Sequence, residues 1–465
     1  MERAISYEEA RYLDRVSRDR FSIPSLSLME SAAREFYICV KDELEKAQDV
    51  CFVAGGGNNG ADALAVARMA FCDGMRNITI FQAPGRETEE HRVQMEICER
   101  LGMKFTDEVG TSLVIDGLIG VGFSGELSDE KKAIIERMNM AGKVISIDCP
   151  SGLKEGRESF CTEADMTVTF GYVKSALLLS PKSGEIRVVN PSFPLDSIPL
   201  SSDVYRLFPA DLNLASIPSD SYKNRKGHVA IFGGSRAYTG AVRLAERAAF
   251  KAGAGLVTVF TSDDSYSVVA GENLSPIVRR FSDFSSADGY SSLLIGPGLT
   301  DLTPDEIIGI INAFSGWTRV VDAGAINALG QKADELTDGE NIIITPHPGE
   351  FRSLMRTLGL DETDLISDVK RVRDRLKGGT VIYKSSFTLI CTLKGCFILR
   401  EPNPALGVAG SGDVLAGITA ALSDPIAGVL LHSAAGAELY RNKGFFTSEE
   451  LCEATGRIRA CRSTF

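Results

Sequence analysis

Asp49-Val50-Cys51-Phe52-Val53-Ala54-Gly55-Gly56-Gly57-Asn58-Asn59-Gly60-Ala61-Asp62 is the stretch whose reading decides the fold. An apolar run from Asp49 to Val53 enters a glycine-rich turn, and an alanine-rich helix is predicted from Ala61 to Ala70. Strand, glycine turn and helix in direct succession open a βαβ unit. In such a turn the backbone can approach a phosphate while free amides of the helix N-terminus face it. The loop is not a Walker A loop, since no Gly-Lys-Ser/Thr follows, nor a clean G-x-G-x-x-G. Glycines alone would equally suit a tight structural turn. Asn58, Asn59 and Asp62 add oxygen donors that a plain turn does not need.

The same rhythm extends outward on both sides. Ile78 to Phe81, Leu113 to Asp116, Val144 to Asp148 and Met166 to Phe170 read as further strands. The first forty residues read as helix, with Ser6 as cap and Glu9 three positions on. A different texture begins near Asp196, where Pro199, Pro209 and Pro218 punctuate serine-rich segments. A linker is therefore expected between about 195 and 225, with domains over 1–210 and 211–465. Beyond it the βα alternation restarts at Val229 to Phe232. It continues through Ser292 to Ile295, Arg319 to Asp322, Asn341 to Thr345, Thr380 to Lys384 and Phe387 to Cys391. The fold class is α/β in both halves.

Composition bounds the function. At 465 residues the chain exceeds one ordinary core, and 44% hydrophobic with 24% charged residues describes a soluble globular protein. The longest apolar stretch, Val414 to Leu422, falls far short of a membrane span, and acids crowd the N-terminus where a signal peptide would be apolar. A net charge of -12 argues against a nucleic-acid partner without excluding nucleotides. Ten cysteines without a C-x-x-C pair read as inert thiols of a reducing cytoplasm. Four histidines, none at ligand spacing, argue against zinc.

Chemistry concentrates at predicted strand ends, where open α/β sheets bind ligands. Asp116 and Asp148 both close apolar runs, the latter in Asp148-Cys149-Pro150-Ser151-Gly152. One such aspartate is often only a helix cap. With Asn59 and Ser151 they offer converging hard oxygens, suited to a monovalent or a divalent cation. In the second half, Gly410-Ser411-Gly412-Asp413 opens a helix as an anion hole with an acid placed to act as general base. Pro346-His347-Pro348-Gly349-Glu350 presents a histidine and a carboxylate outside any core, and Lys384 ends a strand beside Ser385 and Ser386. No nucleophile elbow appears, which excludes a serine hydrolase of that type.

These motifs resemble one family. Gly57-Asn58-Asn59-Gly60-x-Asp62, Asp116-x-x-x-Gly120-x-Gly122, Asp148-x-Pro150-Ser151-Gly152-Leu153 and Leu28-Met29-Glu30 resemble NAD(P)H-hydrate epimerase domains. His228 with Phe232-Gly233-Gly234-Ser235, Thr239-Gly240-Ala241, Gly253 to Thr258, Gly296-Pro297-Gly298, the His347 segment and Gly410 to Leu415 resemble the partner dehydratase. Both halves, in this order, are similar to bifunctional NAD(P)H-hydrate repair enzymes. The resemblance implies an N-terminal Rossmann-like three-layer sandwich and a C-terminal ribokinase-like domain. It implies epimerisation of R and S hydrates of NADH and NADPH by the first, and ADP- or ATP-coupled dehydration of the S hydrate by the second.

The resemblance also implies roles. Asn59, Asp116 and Ser151 would hold potassium. Asn58, Asn59, Gly60, Ala61, Asp62, Gly120, Val121, Gly122, Phe123, Ser124, Gly125, Glu126 and Asp148 would line the hydrate site, with Asp148 as acid/base and Lys174 second. In the second half Ala241, Gly298, His347 and Asp413 would contact hydrate. Lys384, Ser385, Ser386, Phe387, Thr388 and Gly412 would bind nucleotide carrying magnesium, and Asp413 would be the base. Expected partners are small molecules (NADHX, NADPHX, ADP), with no nucleic acid or membrane, in a cytoplasmic homo-oligomer. Five departures bear on the first half: Ser31 for Asn, Ala61 and Ala63 for glycines, Cys149 for an aliphatic residue, and Ser175-Ala176 where Pro-Gly is common after the lysine. Added methyls at Ala61 and Ala63 would narrow the epimerase site. A ribokinase-like small-molecule kinase of the hydroxymethyl-pyrimidine or thiazole type, fused to a non-catalytic nucleotide-binding module, is the alternative reading.

Overall fold

The computed structural model describes residues 1–462 apart from Ser124, Ile217, Ser219, Ser221, Asn224 and Asn273. The chain divides between Val204 and Tyr205 into two compact units, Glu2–Val204 and Tyr205–Phe465.

In the first unit seven parallel strands form one sheet. Their spatial order is Phe105–Thr106, Ile78–Gln82, Val50–Ala54, Leu113–Gly117, Lys143–Ile147, Met166–Phe170 and Glu185–Val189. Numbered by sequence this is 3-2-1-4-5-6-7, so the order reverses between Val50–Ala54 and Leu113–Gly117, the point where open sheets leave a crevice. Both strands are buried throughout, as expected where helices cover the two faces. The sequence reading differs at the N-terminus: Glu2–Ile5 is a strand paired with Val173–Lys174, followed by helices Tyr7–Asp19 and Ser25–Lys46. Ser6 caps the first helix, accepting from the Glu9 amide at 3.1 Å while Glu9 accepts from the Ser6 amide at 3.2 Å.

The second unit repeats the pattern. Its sheet runs Ile277–Arg280, Leu256–Thr261, His228–Phe232, Ser292–Ile295, Thr318–Val321, Ile342–Ile344, Thr380–Lys384, Thr388–Thr392 and Gly395–Leu399. The strands are parallel through Thr380–Lys384 and antiparallel in the hairpins beyond. Here too the order reverses at the first strand, between His228–Phe232 and Ser292–Ile295. The cysteine expectation needs correction, because Cys391 and Cys396 form a disulfide. Antiparallel register places them opposite one another, 4.2 Å apart at Cα. Cys72 and Cys461 are exposed thiols.

Two close backbone approaches fix the first crevice. A Cβ on Gly60 would lie 1.7 Å from the Gly55 carbonyl oxygen, and one on Gly117 would lie 2.6 Å from the Ala63 methyl. Helix Asn58–Cys72 can therefore press onto the strand ends only because glycine stands at these positions. Gly60→Ala should destabilise the first unit by about 1–3 kcal/mol. Gly85→Ala, with nothing within 4 Å of the added methyl, should stay within about 0.5 kcal/mol of wild type. Denaturant midpoints of the two variants check this, and equal midpoints would refute the packing argument.

Candidate functional sites

In the first unit a cavity of about 550 Å³ opens at the strand-order reversal. Gly55 to Asn59, Asp62, Leu118 to Phe123, Asp148 and Lys174 line it. Helix Tyr7–Asp19 adds Arg11, Asp14 and Arg18. Arg11 ties that helix to the loop by donating to the Val121 carbonyl at 2.7 Å.

Beneath this wall Asp116 is fully buried within its strand. Its carboxylate accepts from the Ser146 hydroxyl at 2.9 Å, the Ser151 hydroxyl at 2.5 Å, and the Ser151 and Leu118 amides at 2.9 and 3.2 Å. Burial nonetheless raises its pKa, against the lowering by these bonds. Ser151 in turn accepts from the Ile119 amide at 2.7 Å. One carboxylate thus ties the loop after its own strand to the neighbouring strand Lys143–Ile147 and the loop after that. Asn59 is buried beside Gly120, and its amide nitrogen has no partner among the described residues.

Asp148 adopts φ +63°, a left-handed conformation a non-glycine residue holds only when its surroundings impose it. Those surroundings are polar. Its Oδ1 accepts from the Thr169 hydroxyl and the Phe170 amide, each at 3.1 Å, and pairs with the Lys174 ammonium. Lys174, 2% exposed, also donates to Thr169 Oγ1 at 2.8 Å and the Phe170 carbonyl at 2.9 Å. Asp62 is lifted well above the usual carboxylate range by burial first and by nearby carboxylates after that, Asp148 foremost.

Not every expected residue reaches the cavity. Gly60, Ala61, Gly125 and Glu126 are not part of its lining, and Ser124 lies outside the described residues. The Ala61 and Ala63 methyls are fully buried in the helix packing, so they do not narrow the cavity as expected. Glu126 instead faces solvent and pairs with Lys154 at 2.8 Å. Ser31 and Ser175 likewise lie outside the lining.

In the second unit the strand ends gather a charged cluster. Lys384 Nζ donates to Asp322 Oδ1 at 3.1 Å, and the Thr345 hydroxyl donates to the same oxygen at 2.6 Å. Asp413 stands in the first turn of helix Ser411–Leu422, where burial and then Asp322 raise its pKa to about 7 against the pull of Lys384. A Cβ on Gly412 would come within 3.3 Å of Lys384 Nζ, so the helix N-terminus and the lysine converge. Gly410, at φ +90°, turns the chain into this helix. Behind it His432 touches Ser411 at 3.1 Å, and burial lowers its pKa to about 4.

Other expected residues take mixed positions. His347 is exposed and caps helix Pro348–Thr357, accepting at Nδ1 from the Gly349 amide at 3.0 Å. Gly298 lies against Ala241, 3.2 Å from a built Cβ to its methyl, at the order reversal. The Ser385 hydroxyl turns back to the Phe387 carbonyl at 3.1 Å instead of standing free, while Thr388 pairs with Lys384 in the hairpin. Sequence reading left Asp322 without a role. The strand-end rule that picked out Asp116 and Asp148 applies to it equally.

Comparison with known proteins fits this geometry. The family model described as YjeF-related protein N-terminus matches residues 25–176, and that of NAD(P)H-hydrate dehydratase matches residues 229–457. The bifunctional NAD(P)H-hydrate repair enzyme of Moorella thermoacetica is 28% identical, covering 95% of this chain and 93% of its own length. That of Coxiella burnetii is also 28% identical, over 92% and 93%. The chain belongs to the bifunctional NAD(P)H-hydrate repair family. Among solved structures, a ribokinase-like superfamily protein from Enterococcus faecalis matches with TM-score 0.51 and 25% identity, over 58% of this chain and all of that one. The family's two parts thus fall on the two units, one cavity and one charged cluster respectively.

Within the first site Ser151→Ala removes a bond to a fully buried carboxylate. The expected loss is about 1–3 kcal/mol of first-unit stability. Chemical denaturation measures it, and an unchanged midpoint would show that Asp116 does not depend on that hydroxyl.

Proposed function

We propose that this chain restores hydrated NADH and NADPH, the first unit interconverting R and S hydrates and the second dehydrating the S hydrate at the expense of ADP or ATP. Membership of the repair family supports the activity, and the Lys384–Asp322–Asp413 cluster at a helix N-terminus is the observation that carries the chemistry.

Hydration of a dihydronicotinamide, an enamine, puts a hydroxyl on the ring carbon bonded to nitrogen. Hydroxide is a poor leaving group. We assign Asp413 to take the hydroxyl proton as that oxygen attacks the terminal phosphoryl group, while the phosphoryl bond to the departing nucleotide breaks. The amides of Gly412 and Asp413, with Lys384, are set to meet the developing phosphate charge. Elimination of phosphate with a proton from the adjacent carbon then regenerates the ring double bond. A pKa near 7 suits a base working close to neutral pH. Magnesium would enter on the nucleotide phosphates, which is its usual route into such sites. Ala241, Gly298 and His347 are assigned to the hydrate and Lys384 to Thr388 with Gly412 to the nucleotide.

In the first unit, Asn58, Asn59, Asp62, Gly120 to Phe123 and Asp148 are assigned to the hydrate. Asn59, Asp116 and Ser151 fit potassium: a buried amide side chain, a hydroxyl and a single carboxylate offer hard, weakly charged oxygens. When bound, the ion would supply a fixed positive charge near the cavity. The Asp148–Lys174 pair provides an acceptor and a donor of protons at the cavity wall.

The base must be ionised, so kcat/KM for nucleotide-dependent dehydration should fall tenfold per pH unit as pH drops below about 7. Asp413→Asn should cost about 10²–10⁴-fold in kcat. Absorbance of regenerated NADH from S-hydrate, with ADP or ATP and magnesium, reads both. A stable phosphate ester without NADH would decide for the small-molecule kinase instead.

A further inference from the structure

The helix Tyr7–Asp19 precedes the stretch matched by the first family model, and none of the site assignments above falls on it. Yet it forms part of the cavity wall, through Arg11, Asp14 and Arg18 on one face. These three residues differ in what holds them. Arg11 is engaged with the Val121 carbonyl, and Arg18 with Asp19 at 2.9 Å. Among the described residues, no hydrogen bond or ion pair holds Asp14.

Inverting the hydroxyl-bearing carbon demands two proton-handling groups. That carbon is bonded to nitrogen and to the hydroxyl oxygen, so the ring can open. The hydroxyl proton goes to a base, a carbonyl forms, and the carbon–nitrogen bond breaks with its electron pair passing to nitrogen. An acid then protonates the nitrogen. Rotation about the neighbouring carbon–carbon bond presents the other face of the carbonyl, and the same transfers in reverse close the ring with inverted configuration. No atom is gained or lost, and each group returns to its starting state.

The Asp148–Lys174 pair is one proton-handling unit, fixed from below by Thr169 and Phe170. We propose that Asp14, standing unpaired on the helix wall of the same cavity, is the second acid–base group of epimerisation. This rests on the epimerase reading of the first unit. The charged groups facing Asp14 are Asp148 and Lys174 from the strand ends, Arg18 from its own helix, and Asp62 from the glycine-loop helix. Although the side chain can be reached by solvent, the enclosing walls, then the Asp148 charge, lift Asp14 to about 6 against the pull of Lys174 and Arg18. Such a carboxyl can both give and accept a proton near neutral pH. Asp62 also faces the cavity, but from the closely packed helix Asn58–Cys72 rather than from a free wall.

The test uses the full chain and purified R-hydrate of NADH, with chromatographic separation of epimers. Asp14→Asn should slow epimerisation by about 10²-fold or more in kcat with KM changed less than about threefold, while Asp14→Glu should recover part of it. The wild-type pH profile should carry a limb near pH 6 that Asp14→Asn lacks. Dehydration of S-hydrate by the second unit and an unchanged thermal midpoint would show that the variant is folded. Asp14→Asn with kcat within threefold of wild type, or with the limb intact, overturns the proposal. A wild-type protein that does not epimerise at all overturns the epimerase reading itself, a separate outcome.

Discussion

A carboxylate buried at the carboxyl end of a parallel strand is the constraint on which each site depends. In the first unit it is Asp116, whose four accepted hydrogen bonds tie the loop after its own strand to strand Lys143–Ile147 and the loop that follows it. In the second it is Asp322, 3% exposed, held by Thr345 and Lys384. Such a group is costly to bury and tolerable only when fully satisfied, so its partners are obliged to stay in place. The backbone carries the cost as well. Ala323, beside Asp322, sits at φ +43°, and a Cβ on Gly296 would lie 1.8 Å from the Asp322 carbonyl oxygen. The groups we assign to function (Asn59 and Ser151 in one unit, Asp413 and Lys384 in the other) are arranged around these anchors.

The two units solve related problems with one topology and different electrostatics. Both reverse strand order at the first strand; the first unit opens its cavity there, while the second gathers its charged cluster at the ends of Thr318–Val321, Ile342–Ile344 and Thr380–Lys384. The cavity we assign to epimerisation sets carboxyls around a buried lysine, an arrangement suited to moving protons without a permanent change in the substrate. The cluster we assign to dehydration sets a lysine and a helix N-terminus near Asp413, an arrangement suited to charge that accumulates on a phosphoryl group. Sequential use of the two lets the second site draw on both epimers.

Much of this was legible because both sheets are buried on two faces, and parallel core strands read as apolar runs ending in glycine or aspartate. What escaped lay where burial is partial. Glu185–Val189 and Ile277–Arg280 are sheet-edge strands with polar, half-exposed residues, and Glu2–Ile5 pairs with a strand of only two residues. The disulfide depends on hairpin register, which spacing alone does not reveal. Ala61 and Ala63 were misplaced because a helix was reckoned from its residues without its facing: their methyls point into the packing, not the cavity. Asp14 escaped since a helix well before the glycine loop gives no sequence signal that it closes the same space.

The claim that two separate sites act in succession on one substrate is tested most directly with Asp413→Asn and pure R-hydrate of NADH, supplied with ADP, magnesium and potassium. The account predicts that S-hydrate accumulates to a stable ratio with R while no NADH forms. R-hydrate that stays unchanged, or NADH that still appears with nucleotide consumed, would contradict it.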